Sequence, residues 1–213
     1  MKKIIIYAFM FVVFLSSCSK QGNVIIMLGD SITEWKALTM DENGSLRSWE
    51  ASIGYLYNNA RVFTFARSGW TTDDVLENID RIENYISNNT IAFILIGIND
   101  LIESGKSPEQ IFNNIEKITL FLIRKKVKPV FQTVLPTSIN SLKIADKIIQ
   151  INSLLKAYAQ DKKLPLIDLH LLFLTNDGKV NEELFTDGLH LNARGYRKWI
   201  DEGIKVFFKS VMK

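Results

Sequence analysis

Four short polar segments, far apart in the chain, contain residue types that can carry out chemistry on a carbonyl group. They are residues 29–33 (GDSIT), 67–70 (RSGW), 97–100 (GIND) and 186–190 (TDGLH). A serine hydroxyl such as that of Ser31 is a weak nucleophile and needs an adjacent base. Histidine is the side chain best suited to accept a proton near neutral pH, which draws attention to His190. Asp187 lies three residues before His190, about one helical turn, so its carboxylate can reach and orient the imidazole.

The glycine and asparagine segments can supply hydrogen-bond donors. Attack on a carbonyl carbon creates an oxyanion, which backbone N–H groups and an asparagine amide stabilise, and loss of one such donor typically lowers turnover about 10²–10³-fold. Gly69 and Asn99 are suitable sources of these donors. Simpler roles stay open for single residues, since Ser31 can cap a helix and Asn99 can satisfy a turn.

Three other polar residues are interpreted as structural. His170, the only histidine besides His190, lies two residues after Asp168, so these two side chains point to opposite faces if the strand continues. Asp30 and Asp100 are expected to brace loops through hydrogen bonds rather than to react.

Short apolar runs alternate with longer segments of helical periodicity. Continuous apolar runs are typical of strands covered on both faces, as in parallel sheets, and the alternation predicts an α/β sandwich. The predicted strands are residues 23–28, 61–66, 91–96, 128–135 and 164–169, and the predicted helices are residues 73–86, 108–124, 144–159 and 193–211. Ligands of such sheets bind at the carboxyl ends of the strands, where all four polar segments are predicted to lie.

The first residues are typical of an export signal. Lys2 and Lys3 precede an apolar run of twelve residues at positions 4–15, which is short for a membrane span of about 20 residues. The run ends in Leu-Ser-Ser-Cys, which resembles a bacterial lipobox and implies cleavage before Cys18 and lipid attachment to it. We therefore expect a signal peptide at 1–17, a lipidated tether at 18–22 and a catalytic domain at 23–213, in an exported lipoprotein of the cell envelope, periplasmic or surface-facing. An ordinary signal peptide with an incidental cysteine is the alternative.

Composition narrows the class of protein. A chain of 213 residues with 47% hydrophobic residues predicts one folded domain and excludes disorder. Without residues 1–17, Lys and Arg number 26 − 2 = 24 against 23 acids, a net charge of +1, which argues against a nucleic-acid binder. The single cysteine excludes an intramolecular disulfide and multi-cysteine metal sites. No Gly-x-Ser-x-Gly elbow occurs, which disfavours an α/β-hydrolase of the usual kind.

The four segments, in this order, resemble the blocks of the SGNH or GDSL-like hydrolase superfamily. The resemblance runs through essentially all of the chain from residue 23. It implies a flavodoxin-like three-layer α/β/α fold with a five-stranded parallel sheet and ester hydrolysis through an acyl-enzyme, without a metal or another cofactor. Carried over to this chain, it implies Ser31 as nucleophile, His190 as base and Asp187 as its orienter. The oxyanion hole would be the N–H groups of Ser31 and Gly69 with the side chain of Asn99.

This chain departs from the family pattern around the predicted mouth of the site. In relatives the glycine block commonly ends in an acid, whereas here Trp70 follows Gly69, and Trp35 and Lys36 follow the serine block where small residues are frequent. Trp35 and Trp70 could stack on sugar rings, and Arg67 could pair with a substrate carboxylate.

The predicted function is therefore a serine esterase that removes acyl groups, most often acetyl, from a small-molecule or glycan ester. The alternatives are a lysophospholipase- or thioesterase-type acylhydrolase and a surface glycan-binding protein without catalysis. The basic cluster Arg124, Lys125, Lys126 and Lys128 is interpreted as a solvated helix end, with a membrane-surface role as the alternative. Nothing in the sequence indicates an oligomeric state.

Overall fold

A computed structural model describes residues 22–35, 38–40 and 46–211 of the 213-residue chain. The predicted signal peptide, Cys18 and the tether up to residue 21 lie outside the described residues, as does Lys36. Among the residues that are described, no helix combines the length and the apolar character needed to cross a membrane.

The centre of the molecule is a sheet of five parallel strands. Its strands are β1 (Asn23–Gly29), β4 (Arg61–Ala66), β5 (Asn89–Leu95), β6 (Lys128–Gln132) and β7 (Leu166–Ile167). They lie in the order β4-β1-β5-β6-β7, and a small antiparallel hairpin, β2 (Leu38–Met40) and β3 (Leu46–Ser48), stands apart. In β1 and β5 every residue after the first is buried, which is why their sequences are continuously apolar.

Eight α-helices surround this sheet in the part of the chain that the structure describes. They are α1 (Ser31–Glu34), α2 (Trp49–Leu56), α3 (Thr72–Asn78), α4 (Pro108–Arg124), α5 (Ala145–Lys162), α6 (Leu169–Leu172), α7 (Ala193–Lys198) and α8 (Lys205–Val211). Helices α3, α4 and α5 pack side by side, while α2 packs with α8 and with the π-helical turn Trp199–Ile204 that joins α7 to α8. This is the predicted three-layer α/β/α architecture, and the prediction is confirmed.

Several predicted boundaries were wrong. The helix predicted at 73–86 is α3 followed by a 3₁₀ segment, Ile79–Tyr85. The strand predicted to reach residue 135 ends at Gln132, because the N–H and C=O of Val134 pair with the Asn152 side chain of α5 (2.7 and 2.9 Å) instead of a neighbouring strand. The last strand is short because Asp168 caps α6, which begins at the next residue.

Large aromatic side chains fill the layer between the sheet and the last helices. Trp49, Tyr196 and Trp199 are fully buried, and the two tryptophan rings lie 5.2 Å apart. Burying a large apolar side chain contributes about 1.5–3 kcal/mol, so this cluster fixes α7 against α2. The hydroxyl of Tyr196 also donates a 2.7 Å hydrogen bond to the carbonyl of Ile32, which anchors α1 from below.

Candidate active site

Ser31 stands on a tight turn where β1 leaves the sheet. Gly29 ends β1, and a Cβ at this position would lie 2.5 Å from the carbonyl oxygen of Leu95, so only glycine fits there. Asp30 then caps α1, because its Oδ1 accepts a 3.0 Å hydrogen bond from the N–H of Ile32. The turn therefore presents Ser31 as the first residue of α1, at the carboxyl edge of the sheet.

The structure brings Ser31, His190 and Asp187 together from opposite ends of the chain. The Oγ of Ser31 lies 2.9 Å from Nε2 of His190, and Nδ1 of His190 lies 2.7 Å from Oδ2 of Asp187. With Asp187 ionised, Nδ1–H donates to the carboxylate and Nε2 is left to accept from the serine hydroxyl. This arrangement suits proton transfer from Ser31 to His190.

Asp187 is held as a carboxylate by its own turn. Its Oδ1 accepts hydrogen bonds from the N–H groups of Leu189 (2.9 Å) and His190 (2.7 Å). Partial burial opposes ionisation, but these two bonds and the imidazole of His190 outweigh it and lower the pKa of Asp187 to about 2. Gly188 permits the turn, because it has a φ of +83° and its missing Cβ would lie 2.6 Å from the Ser138 hydroxyl. Asp187 is therefore ionised at every pH near neutrality.

The two other predicted donors lie on loops beside Ser31. Gly29 pairs with Ala66 of β4 and with Leu95 of β5, so the loops that follow these strands leave the same edge of the sheet. Gly69 has a φ of +80°, in a turn closed by the N–H of Trp70 donating to the carbonyl of Arg67. The structure thus gathers the Ser31, Gly69 and Asn99 segments at one place.

Side-chain contacts that cannot be seen in the sequence hold both donor loops. Glu34 of α1 accepts hydrogen bonds from the N–H and the hydroxyl of Ser68, both at 2.6 Å. The amide Nδ2 of the buried Asn99 donates to the carbonyl of Trp70 at 2.9 Å. This contact uses one of the two amide N–H groups and fixes the orientation of the other.

Asp100 forms a third clamp behind the donor loops. It is completely buried, and its carboxylate accepts hydrogen bonds from the N–H (2.8 Å) and hydroxyl (2.6 Å) of Thr72 and from Nζ of Lys106 (2.8 Å). Thr72 begins α3, two residues after Trp70. Asp100 therefore joins the loop that carries Asn99 to the loop that carries Gly69, which matches the bracing role expected of it.

Asp30 is a carboxyl group of the site whose pKa is raised far above its ordinary value. Its side chain is 1% exposed, and this burial raises its pKa to about 7, against the opposing effects of the Ile32 N–H and of His190. Burial and the nearby Asp30 also raise the pKa of Tyr196.

The residues predicted at the mouth differ in exposure. Trp35 is 50% exposed and forms a T-shaped pair with the His190 ring, with ring centroids 5.6 Å apart and planes at 84°. Arg67 is exposed, whereas the ring of Trp70 is partly buried against Phe65. Trp35 therefore lies beside His190, whereas the Trp70 ring packs on Phe65 and its carbonyl contacts a site residue, Asn99.

His170 lies apart from this constellation. It belongs to α6 rather than to a strand, so the strand does not continue and the conditional alternation with Asp168 does not apply. Its N–H donates to the hydroxyl of Thr133, its ring nitrogen Nδ1 lies 3.3 Å from the carbonyl oxygen of Val134, and burial lowers its pKa. Within the described ranges, no group of three or more His, Cys, Asp and Glu side chains is arranged to hold a metal ion.

Sequence comparison connects this chain to known proteins. Residues 27–198 match the GDSL-like lipase/acylhydrolase family. The chain is 34% identical to an N-acylneuraminate cytidylyltransferase of Streptococcus agalactiae over 146 residues, which are 65% of this chain and 34% of that protein. It is 23% identical to an isoamyl acetate-hydrolyzing esterase of Saccharomyces cerevisiae over 201 residues, covering 85% and 84% of the two chains. The chain thus spans about a third of the length of the cytidylyltransferase.

Solved structures share the fold. A GDSL-like lipase of Bacteroides thetaiotaomicron is similar with a TM-score of 0.68, 20% identity and 88% of each chain covered. The acetyl xylan esterase AlAXEase is similar with a TM-score of 0.67 and 20% identity, over 88% of this chain and 99% of that chain. Since the family match covers most of the sequence, this chain belongs to the GDSL-like lipase/acylhydrolase family.

Proposed function

We propose that this protein is a serine esterase that removes acetyl groups from carbohydrate. The observation that carries the proposal is the continuous path of short contacts from Ser31 through His190 to Asp187, at 2.9 and 2.7 Å. Because the pKa of Asp187 is about 2, the carboxylate is available to stabilise the imidazolium that forms when His190 takes a proton.

In the proposed reaction Ser31 attacks the ester carbonyl as its proton passes to Nε2 of His190. The N–H groups of Ser31 and Gly69 and the free amide N–H of Asn99 stabilise the oxyanion. Collapse of the tetrahedral intermediate releases the alcohol, which takes its proton from His190, and leaves an acetyl group on Ser31. A water molecule, deprotonated by His190, then hydrolyses the acyl-enzyme and restores Ser31.

Two observations support an acetylated sugar as substrate. The first is Trp35, whose half-exposed ring beside His190 offers the flat apolar face on which a sugar ring can stack. The second is that two similar proteins are named for acetyl esters: one is an isoamyl acetate-hydrolyzing esterase and the other an acetyl xylan esterase. The shared element of these two names is the acetyl ester.

An acidic sugar is the more specific form of this proposal. The cytidylyltransferase relative is named for an N-acylneuraminate, which is a carboxylate-bearing sugar. Arg67 is exposed on the loop before Gly69, where its guanidinium would pair with such a carboxylate. The chain covers only 34% of that relative, so its named transferase activity is not part of the proposal.

A substrate panel tests the proposal. Purified protein is assayed with p-nitrophenyl acetate, butyrate and octanoate and with acetylated xylan and acetylated neuraminate, beside Ser31→Ala and a control, Ser153→Ala, on the exposed surface of α5. The proposal predicts preference for acetate, release of acetate from a sugar, and loss of activity in Ser31→Ala alone. Preference for octanoate or a lysophospholipid would favour the lipolytic alternative. Glycan binding without turnover would favour the binding protein.

We further propose that the protein is an exported lipoprotein, cleaved before Cys18 and anchored by acyl chains on that cysteine. Each buried CH₂ group contributes about 0.8 kcal/mol, so several acyl chains hold a protein firmly on a membrane. Metabolic labelling with a fatty-acid analogue in a bacterial host should mark the wild-type chain and not Cys18→Ser. Labelling of both chains, or of neither, would refute this part.

A further inference from the structure

The strands of the central sheet begin at the edge that lies opposite to Ser31. Asn23 of β1 pairs with Asn89 of β5, Val24 pairs with Arg61 at the start of β4, and Ile91 pairs with Lys128 at the start of β6. Because the strands are parallel, all these starting residues lie on one edge. The helices α4, α5 and α8 run back from the carboxyl edge and end here as well.

This edge is rich in cations that lack carboxylate partners. Of its acids, Glu83 pairs with Lys125 and Asp161 pairs with Lys162, each at 2.8 Å. Lys126, Lys128 and Lys163 are exposed and make no ion pair with any residue that the structure describes.

Helix capping does not account for all of these charges. A cation in the last turn of a helix suits the helix dipole, which explains Arg124 and Lys125 at the end of α4. Lys128 instead opens β6 and is not part of the last turn of α4. The excess of positive charge is therefore a property of the whole edge.

An apolar groove opens between these lysines. It has a volume of about 600 Å³ and is lined by Tyr57, Ile123, Pro129, Phe207 and Val211, together with Lys126 and Lys128. Ile123 is 45% exposed and Val211 is 54% exposed, although both are apolar. Apolar side chains rimmed by lysines match a bilayer interface, where acyl chains lie beneath anionic headgroups.

The path of the chain leads from the proposed lipid to this same edge. Four residues lie between Cys18 and Asn23, and the five Cα-to-Cα steps that join these two positions span at most about 18 Å. A lipid on Cys18 would therefore keep this edge, where the described domain begins, close to the membrane.

We infer that this basal face, defined by Tyr57, Ile123, Lys126, Lys128, Phe207 and Val211, docks on an anionic lipid bilayer. The inference rests in part on the proposed lipidation of Cys18, whereas the charge and the groove are independent of it. In the docked orientation β1, with seven residues and a length of about 20 Å, holds Ser31 on the side that faces away from the bilayer. The esterase site then receives substrate from the aqueous side.

Vesicle binding tests the inference with the full chain carrying Cys18→Ser, so that no acyl chain is attached. Partition is measured onto vesicles of phosphatidylcholine alone and of phosphatidylcholine mixed with phosphatidylglycerol. Lys126→Glu/Lys128→Glu is compared with Lys143→Glu/Lys147→Glu, which makes the same change of charge where α5 begins, near the carboxyl edge. Lys2, Lys3 and the apolar run at 4–15 are present in every protein, so their contribution cancels.

The basal pair should lower partition onto the anionic vesicles at least tenfold, since each lysine near such a surface contributes about fivefold. The control pair should bind like its parent, and all proteins should bind phosphatidylcholine equally. Equal losses in both pairs, or no loss in either, would overturn the inference. Hydrolysis of p-nitrophenyl acetate is measured on the same samples. Activity retained by the variants shows that they are folded. Inactivity of the parent protein would count against the proposed function and not against docking.

Discussion

Replacing Asp30 by asparagine should stabilise the protein, and the gain should grow as the pH rises. The Asp30 carboxyl is 1% exposed, and its burial raises its pKa from 3.8 to about 7. In the unfolded chain the same group ionises near its ordinary value. Between pH 4 and 7 the folded protein therefore holds a proton that the unfolded chain has lost, and the free energy of unfolding falls with rising pH.

The two pKa values set the size of the effect. Each pH unit between them lowers the free energy of unfolding of the wild type by about 1.4 kcal/mol. The full difference between 3.8 and 7 therefore lowers it by about 4 kcal/mol at pH 8. Asparagine has no charge to bury, and its side-chain oxygen can still accept from the N–H of Ile32 and cap α1. The advantage of Asp30→Asn should be small at pH 4, reach about 3 kcal/mol at pH 6 and level off above pH 7.

Urea unfolding at pH 4.5, 6 and 8 measures this difference. Asp80→Asn, at an exposed position, makes the same chemical change and serves as the control. Its stability relative to wild type should vary far less with pH, because an exposed carboxylate keeps its hydration. A difference between Asp30→Asn and wild type that stays constant from pH 4.5 to 8 would show that burial does not raise the pKa of Asp30.

Three further predictions concern catalysis of p-nitrophenyl acetate hydrolysis. Asp187→Asn should lower kcat about 10⁴-fold, because the imidazole of His190 loses the group that orients it. In the wild type the pKa of Asp187 is about 2, so protonation of Asp187 should cause no fall in kcat/KM between pH 4 and 8. Asn99→Ala should lower kcat about 10²–10³-fold with little change in KM, and an equal loss of binding in a steady-state assay would contradict the oxyanion role. Glu34→Gln, which weakens the hold on Ser68, should lower kcat about tenfold, whereas an unchanged kcat would show that the Gly69 loop is positioned without it.

The fold was predictable where the sequence pattern is set by burial. The central strands β1 and β5 are covered on both faces, so their apolar runs identify them. Helix α4 has the predicted bounds because Ser107 caps it and Pro108 follows at the first position.

Elements with weaker patterns were missed. Helix α2 and the hairpin β2–β3 were not predicted, although Ser48, whose side chain accepts from the N–H of Ala51, is a cap of the usual type. The edge strand β7 is only two residues long, too short for a pattern to define its ends.

The candidate site was predictable as a set of residues but not as a geometry. Ser31, His190 and Asp187 were identified from residue type, order and resemblance. The contact between Ser31 and His190 joins residues 159 positions apart, which only the folded sheet can bring together. The clamps formed by Glu34 on Ser68 and by Asp100 on Thr72 are also long-range, and no local spacing signals them.

Ser31 should carry the acyl group during turnover. This is tested by quenching the enzyme during hydrolysis of p-nitrophenyl acetate and locating the acetyl group by peptide mass spectrometry. We expect acetylation of the peptide that contains Ser31, and neither acetylation nor turnover in Ser31→Ala. Acetylation at another side chain, or full turnover by Ser31→Ala, would contradict it.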